Sequence, residues 1–296
     1  MLKFNLQEEA SECVLWLFDY LKCQDRPTMQ AIDLADKKLN EFKKEFLGFF
    51  YIFPLFFVEP YYADINLCKL RRFVAWNALF VKYVRLNDDV EDGDNPLSQK
   101  STQAKIYKRL SSEIISELFG ENSDFGYYYK RYEKQQDDAL QKQKDYNHTN
   151  IRKLKLDFYI DLSIMKGAMA KLVPLGVCLL VDDFFSYKNY SKSVDHFNVA
   201  YQAIDDFIDW KEDFEAHRPN LFASLLEKQM NGKNHIILTE NDHMDKVLIN
   251  CFTEISEFSK EHYLTALKLT HGLGLNEWEK LIRLQSDNAN RMMNLC

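Results

Sequence analysis

The sequence predicts an all-α protein, a single-domain helical bundle over residues 1–296. Three observations carry that prediction. Apolar residues recur at spacings of three and four along most of the chain, the period of a helix with one buried face. Only 9 glycines and 6 prolines punctuate the 296 residues, so little interrupts long helices. Strand signals are weak: HIIL at 235–238 is the one short apolar run of β character, read as a loop edge.

The periodicity places helices near 6–24, 28–47, 64–87, 101–118, 124–146, 150–181, 188–215, 220–231, 242–269 and 274–294. DGDNPLSQKST at 92–102 reads as a loop, and SYKNYSKS at 186–193 as a shorter one. FLGFFYIFPLFFV at 46–58 is the most apolar run. It contains Pro54 and is too short to span a bilayer, so it is expected to be a buried helix end and turn. Transient membrane contact through that run stays open. No linker or repeat divides the chain.

Composition narrows the function. The hydrophobic share is 46% and the charged share 28%, an ordinary soluble composition. A net charge of −7 argues against a nucleic-acid partner, which demands clustered Lys and Arg. The six cysteines form no CxxC pair and no zinc spacing, as expected for reduced thiols in a cytoplasmic protein. The opening MLKFNLQEEASEC has acidic residues before any apolar core, unlike a signal peptide. The seven histidines show no ligand pattern, and none follows a glutamate at the Glu-x-x-His spacing of a di-metal carboxylate bundle.

Two acidic clusters stand out. YQAIDDFIDWKED, 201–213, holds five acidic residues from Asp205 to Asp213. At about 100° per residue, Asp205, Asp206, Asp209, Asp213 and Gln202 share roughly a third of the helix surface. Ala203 and Phe207 point the other way, and Trp210 lies on the flank. Like charges at these spacings repel by roughly 0.2–0.5 kcal/mol per pair. Carboxylates gathered at the end of an apolar helix suggest oxygen ligands for a hard divalent cation. The second cluster, NDDVEDGD, carries Asp88, Asp89 and Asp92 at the end of another apolar helix. Negative charge there opposes the helix dipole and does nothing for stability. Two DDxxD patterns more than a hundred residues apart suggest carboxylates that together clamp metal ions on a diphosphate. Phe73, Trp76, Phe80 and Tyr83 form an aromatic stripe leading to the first cluster, either plain core or the wall of a pocket.

These segments resemble the class I isoprenoid synthases, the trans-prenyltransferases and terpene cyclases. DDVED at 88–92 is similar to their first aspartate-rich motif. YIDLSIMKGAMAKLVPLGV at 159–177 resembles the helix carrying their Lys-Thr-Ala signature, here Lys166-Gly167-Ala168 with Gly in place of Thr. VAYQAIDDFIDWKED at 199–213 resembles Phe-Gln-x-x-Asp-Asp-x-x-Asp, with Tyr201 in the Phe position. The likeness spans roughly 65–225.

The resemblance implies a bundle around a deep apolar cavity and three Mg²⁺ ions, with Mn²⁺ as a substitute. It implies an isoprenyl diphosphate as substrate. Asp88, Asp92, Asp205 and Asp209 would be metal ligands, with Asp89 and Asp206 as further candidates. Gln202 and Asp213 would orient them. Lys166 would contact the diphosphate, and Arg218 would approach it. A homodimer is common in the family. Releasing diphosphate builds negative charge on the leaving group, which cations stabilise most in the transition state.

The finer assignment rests on a departure. Chain-elongating prenyltransferases carry a Gly-Gly-Lys-Arg segment and an arginine pair after the first motif. This chain reads GDNPLSQKSTQAK there, and its Arg71-Arg72 pair precedes the motif. That favours a one-substrate terpene cyclase. A prenyltransferase, chain-elongating or head-to-head, is the alternative, and a non-catalytic subunit that binds prenyl diphosphates is a further one.

Overall fold

The structure is a computed structural model that describes residues 3–91, 97–146, 154–215, 218–230 and 242–293. The HIIL run lies outside the described residues. The described chain is predominantly helical, with no strand among the described residues. Its α-helices are α1 (Leu6–Lys22), α2 (Arg26–Ala31), α3 (Leu39–Phe46), α4 (Leu67–Glu91), α5 (Leu97–Phe119), α6 (Asp124–Asp145) and α7 (Leu156–Lys166), followed by α8 (Leu172–Leu180), α9 (Phe184–Ile208), α10 (Trp210–Glu215), α11 (Leu221–Gln229), α12 (Asp242–Thr270) and α13 (Asn276–Met293). No single helix among the described residues is long and apolar enough to cross a membrane.

Several boundaries depart from the sequence reading, among them the helix expected over 188–215, which is two, α9 and α10. The helix expected over 28–47 is two, α2 and α3. Between them Asp33 takes a positive φ of 56°, and Lys22 Nζ donates to the carbonyls of Leu34 (2.8 Å) and Ala35 (3.1 Å), fixing the turn. The helix expected over 150–181 breaks at Gly167. The supposed loop at 186–193 is helical and belongs to α9. Its Ser, Lys and Asn residues suggested a turn, but Tyr187, Tyr190, Val194 and Phe197 are buried at spacings of three, four and three. Tertiary burial of that stripe outweighs local composition. Finally, α5 already begins at Leu97, within the stretch read as loop.

The chain forms two compact units that interleave along the sequence. One comprises Met1–Tyr127, Val173–Phe185 and Leu273–Glu277, and the other Tyr128–Leu172, Ser186–Gly272 and Trp278–Cys296.

The first unit is organised by α4. Phe73 and Trp76 are buried and stack at 5.0 Å, and both meet the edge of Phe125. Gly176 on α8 packs on the Phe73 ring so closely that a Cβ there would overlap it. The apolar run at 46–58 is, as expected, a buried helix end and turn, with Phe53–Phe57 forming a 3₁₀ turn. Arg71 bonds the buried carboxylate of Glu9 (2.8 Å), which also accepts from the Tyr62 hydroxyl (2.8 Å). Arg72 pairs with Glu117. Both members of the arginine pair are therefore engaged inside this unit.

In the second unit, α9 packs on α11 and α12. Its Ala203 lies in a buried cluster with Tyr159, Leu221, Phe222, Leu226, Phe252 and Ile255, and Ile204, Phe207 and Trp210 pack against it. Phe207 sits 4.2 Å from Phe252 and 5.0 Å from Phe222, centroid to centroid. Hydroxyls tie the helices together: Ser193 donates to the Ala266 carbonyl and Ser259 to the Ala200 carbonyl, each at 2.9 Å.

Candidate active site

The carboxylate face of α9 stands where its apolar face dictates. Ala203 and Phe207 are held by the core, so Gln202, Asp205 and Asp209 turn the other way. The helix is interrupted at Asp209, yet its register persists. Asp209 N–H donates to the Asp205 carbonyl and Asp213 N–H to the Asp209 carbonyl, both at 2.9 Å. Asp209 is exposed, and Asp205 and Asp213 are half-buried.

The four aspartates are not equivalent. Burial pushes the Asp205 carboxyl above its ordinary value, and the charges of Asp209 and Asp213 add to this, while Lys166 opposes it. Asp206 is 2% exposed, and burial pushes its carboxyl up to about 7 against the pull of its hydrogen bonds and of Lys166. Both its oxygens are engaged. One accepts from Gln202 Nε2 at 3.0 Å and the other from the Leu221 backbone N–H at 2.7 Å. Asp206 thus ties the end of α9 to the start of α11, and Gln202 is turned toward it. Below it, burial and the Asp206 charge hold the Tyr159 phenol well above its ordinary range.

Asn220 completes the tie. Its Nδ2 donates to the Asp206 carbonyl and to Asp213 Oδ2, both at 2.8 Å, while its Oδ1 caps α11 by accepting from Ala223 N–H at 2.9 Å. Arg218, expected to approach a diphosphate, has Nη1 3.5 Å from Asp213 and 3.6 Å from Glu212.

Lys166 is the last residue of α7. Its charge partly offsets the rise of the Asp205 and Asp206 carboxyls. No sequence signal other than the resemblance brings Lys166 to these aspartates. Asn220 was missed, although an asparagine directly before the apolar run LFASLL is a helix-start signal. Asn198 was missed as well.

In the first unit, Asp88 is exposed and Asp89 half-exposed at the end of α4. Asp89 pairs with Lys100 Nζ of α5 at 2.8 Å. Asp92 lies outside the described residues.

Among the described residues no three His, Cys, Asp or Glu side chains converge as a ready-made metal site. The donor chemistry nevertheless fits a hard divalent cation. Asp205, Asp209 and Asp213 offer only oxygen, and their mutual repulsion is what a bound cation would relieve. Asp206 fits less well, because both of its oxygens are already engaged.

The fold is that of the all-α isoprenoid synthases. The structure is similar to that of the geranylgeranyl pyrophosphate synthase from Lactobacillus brevis ATCC 367, with a TM-score of 0.71 and 15% identity over 95% of this chain and 96% of that one. It is also similar to the geranylgeranyl pyrophosphate synthetase from the archaeon Geoglobus acetivorans, with a TM-score of 0.66 and 12% identity over 95% of this chain and 98% of that one. At such identities the likeness establishes the fold. No protein-family model matches the sequence, and no curated protein matches it.

Proposed function

We propose that the protein is a Mg²⁺-dependent prenyltransferase that acts on isoprenyl diphosphates, with residues 1–296 as one functional domain. The observation that carries the reading is the run of carboxylates Asp205, Asp209 and Asp213, held in helical register at the end of α9, in a fold like that of two geranylgeranyl pyrophosphate synthases, with the Lys166 charge opposing the rise of the Asp205 carboxyl. Asp205 and Asp209 would hold metal, and Asp88 and Asp92 keep the ligand role that the resemblance implies. Mg²⁺, when bound, would neutralise diphosphate charge and assist its departure.

The chain's own residues supply the rest. Lys166 presents a cation to the charge that grows on the leaving group. Asp213, restrained by Asn220 and Arg218, holds its position beside Asp205. Asp206 fixes the end of α9 and keeps the ligand-bearing turn rigid. The expected apolar cavity would shelter the hydrocarbon tail and exclude water. A cytoplasmic location and a homodimer belong to the same reading.

A terpene cyclase is the second reading, favoured by the missing arginine pair after Asp92 and by the engagement of Arg71 and Arg72 with Glu9 and Glu117. The named activity of both similar structures supports the prenyltransferase instead. The test is incubation of purified protein with Mg²⁺ and geranyl, farnesyl or geranylgeranyl diphosphate, each with and without isopentenyl diphosphate. Organic products are read by mass spectrometry. A longer prenyl diphosphate formed only with isopentenyl diphosphate is the expected result. A hydrocarbon or alcohol from one allylic substrate alone would replace it with the cyclase. An Asp205→Ala, Asp209→Ala protein that keeps full turnover would sink both.

A further inference from the structure

Gly167 has a backbone φ of −82°, which any residue adopts, so its conformation does not require glycine. What requires it is a neighbour. A Cβ at residue 167 would overlap the side-chain amide of Asn198. That amide donates from Nδ2 to the Gly167 carbonyl at 3.2 Å, and the same carbonyl accepts from Ala170 N–H at 3.1 Å. Asn198 therefore pins the Gly167–Ala168 peptide, one residue beyond Lys166, at the point where α7 stops and the 3₁₀ turn Ala168–Lys171 begins.

Asn198 belongs to the acidic face itself. Asn198, Gln202, Asp205 and Asp209 follow one another at spacings of four, three and four along α9, one stripe of a helix. The helix that carries the carboxylates thus also carries, one turn before Gln202, the side chain that holds the segment presenting Lys166. The prenyltransferase signature that this segment resembles has threonine after the lysine. This chain has Gly167 there, and the Asn198 amide occupies the space a Cβ would take.

We propose that Asn198 is a positioning residue that sets where the Lys166 ammonium stands relative to Asp205, and that Gly167 is glycine to admit it. The proposal rests on the reading of Lys166 as a diphosphate contact. An ammonium displaced by about 1 Å from a developing charge loses much of its effect, on the order of tenfold or more in rate. The loss should fall on kcat more than on KM, because the charge grows in the transition state.

A double-mutant cycle tests it, with two readouts: turnover of an allylic diphosphate, and calorimetric binding of inorganic pyrophosphate in Mg²⁺. Asn198→Ala should lower kcat and weaken pyrophosphate binding, each about tenfold, with the melting temperature little changed. In a Lys166→Ala background, Asn198→Ala should add almost nothing. Gly167→Thr alone should be impaired by overlap with Asn198, and Asn198→Gly in the same chain should relieve that overlap but leave kcat no higher than in Asn198→Ala. Additive losses in the cycle, or an Asn198→Ala protein equal to wild type, would overturn the positioning role. Pyrophosphate binding that follows the cycle in a protein without turnover would keep the positioning role while removing the proposed activity. A wild-type protein that neither binds pyrophosphate nor turns over would remove both.

Discussion

The buried carboxylate of Asp206 accepts the backbone N–H of Leu221 at 2.7 Å, so an acidic residue of the candidate site also splices α9 to α11. Its neighbour Asp205, one residue away, is half-buried beside the charges of Asp209 and Asp213. The pair should separate in mutagenesis. Asp206→Ala removes the acceptor of one buried backbone donor and of Gln202, and should cost about 2–4 kcal/mol of stability. Asp205→Ala relieves like-charge repulsion and should leave stability within about 0.5 kcal/mol of wild type. Urea unfolding of both variants checks this. Equal losses would mean that Asp205, too, is a structural residue.

Metal binding should report on the same cluster. A divalent cation that binds only the folded protein stabilises it by mass action, by about 2.7 kcal/mol at a hundred times its dissociation constant. Millimolar Mg²⁺ should raise the melting temperature of the wild type and raise it much less in Asp205→Ala, Asp209→Ala. Chelation should reverse the gain. An identical rise in both proteins would assign the metal elsewhere.

Asn220 spends its amide on three contacts. The Asn220→Ala protein loses a helix cap worth about 1 kcal/mol. It also frees the Asp206 carbonyl and Asp213 Oδ2. The total loss should therefore exceed that of a simple cap, at about 2–3 kcal/mol. Circular dichroism melts compare it with Asn5→Ala, which removes the α1 cap alone. Equal losses would show that the links to Asp206 and Asp213 contribute nothing.

Acid should loosen the second unit through a histidine pair. His196 Nδ1 and His262 Nδ1 lie 3.0 Å apart, and Phe258 lies against His262. Burial lowers the pKa of both. Asp195 opposes the shift of His196 and Lys192 reinforces it, while His196 adds to that of His262, which falls to about 4. The folded state keeps these rings neutral where the unfolded chain, with histidine near 6.5, takes up protons. Stability from the pair is therefore present above about pH 6.5 and lost as pH falls toward about 4, by on the order of 1 kcal/mol after discounting for partial exposure. Burial raises the carboxyl of Asp195, which shifts stability the opposite way, so the informative quantity is a difference between proteins. Between pH 7.5 and 5, the wild type should lose more stability than His262→Gln. Parallel losses would refute the assignment.

The orientation of α9 was legible from spacing alone. Ala203 and Phe207 at the back and the aspartates at the front follow from 3.6 residues per turn and from the apolar character of 196–204. The division of labour among those aspartates was not. The partner that claims Asp206 is a backbone N–H fifteen residues later, and a local pattern carries no record of it. Tyr187 and Tyr190 show the limit from the other side. Their neighbours are serine, lysine and asparagine, so the stretch scored as a loop, while burial of the two rings makes it helix. The Gly167 departure was visible, but its cause was not, because Asn198 reaches it from a separate helix.

The interleaving of the two units bears on synthesis. The unit that opens with Met1–Tyr127 also needs Leu273–Glu277, where the side chain of Asn276 and the backbone of Glu277 donate to the Glu59 carboxylate at 2.9 and 3.2 Å. A ribosome adding about 5–20 residues per second needs roughly 8–30 s to travel from residue 127 to residue 277. Over that interval the early helices wait with a gap where the late segment belongs. Nascent chains stalled just before Leu273 should therefore be cut by protease within the early helices, and chains extended past Glu277 and clear of the exit tunnel should resist. A translating cell is then expected to protect the early helices until Leu273–Glu277 emerges, and a chain stopped before Leu273 is expected to be a substrate for chaperones and proteases.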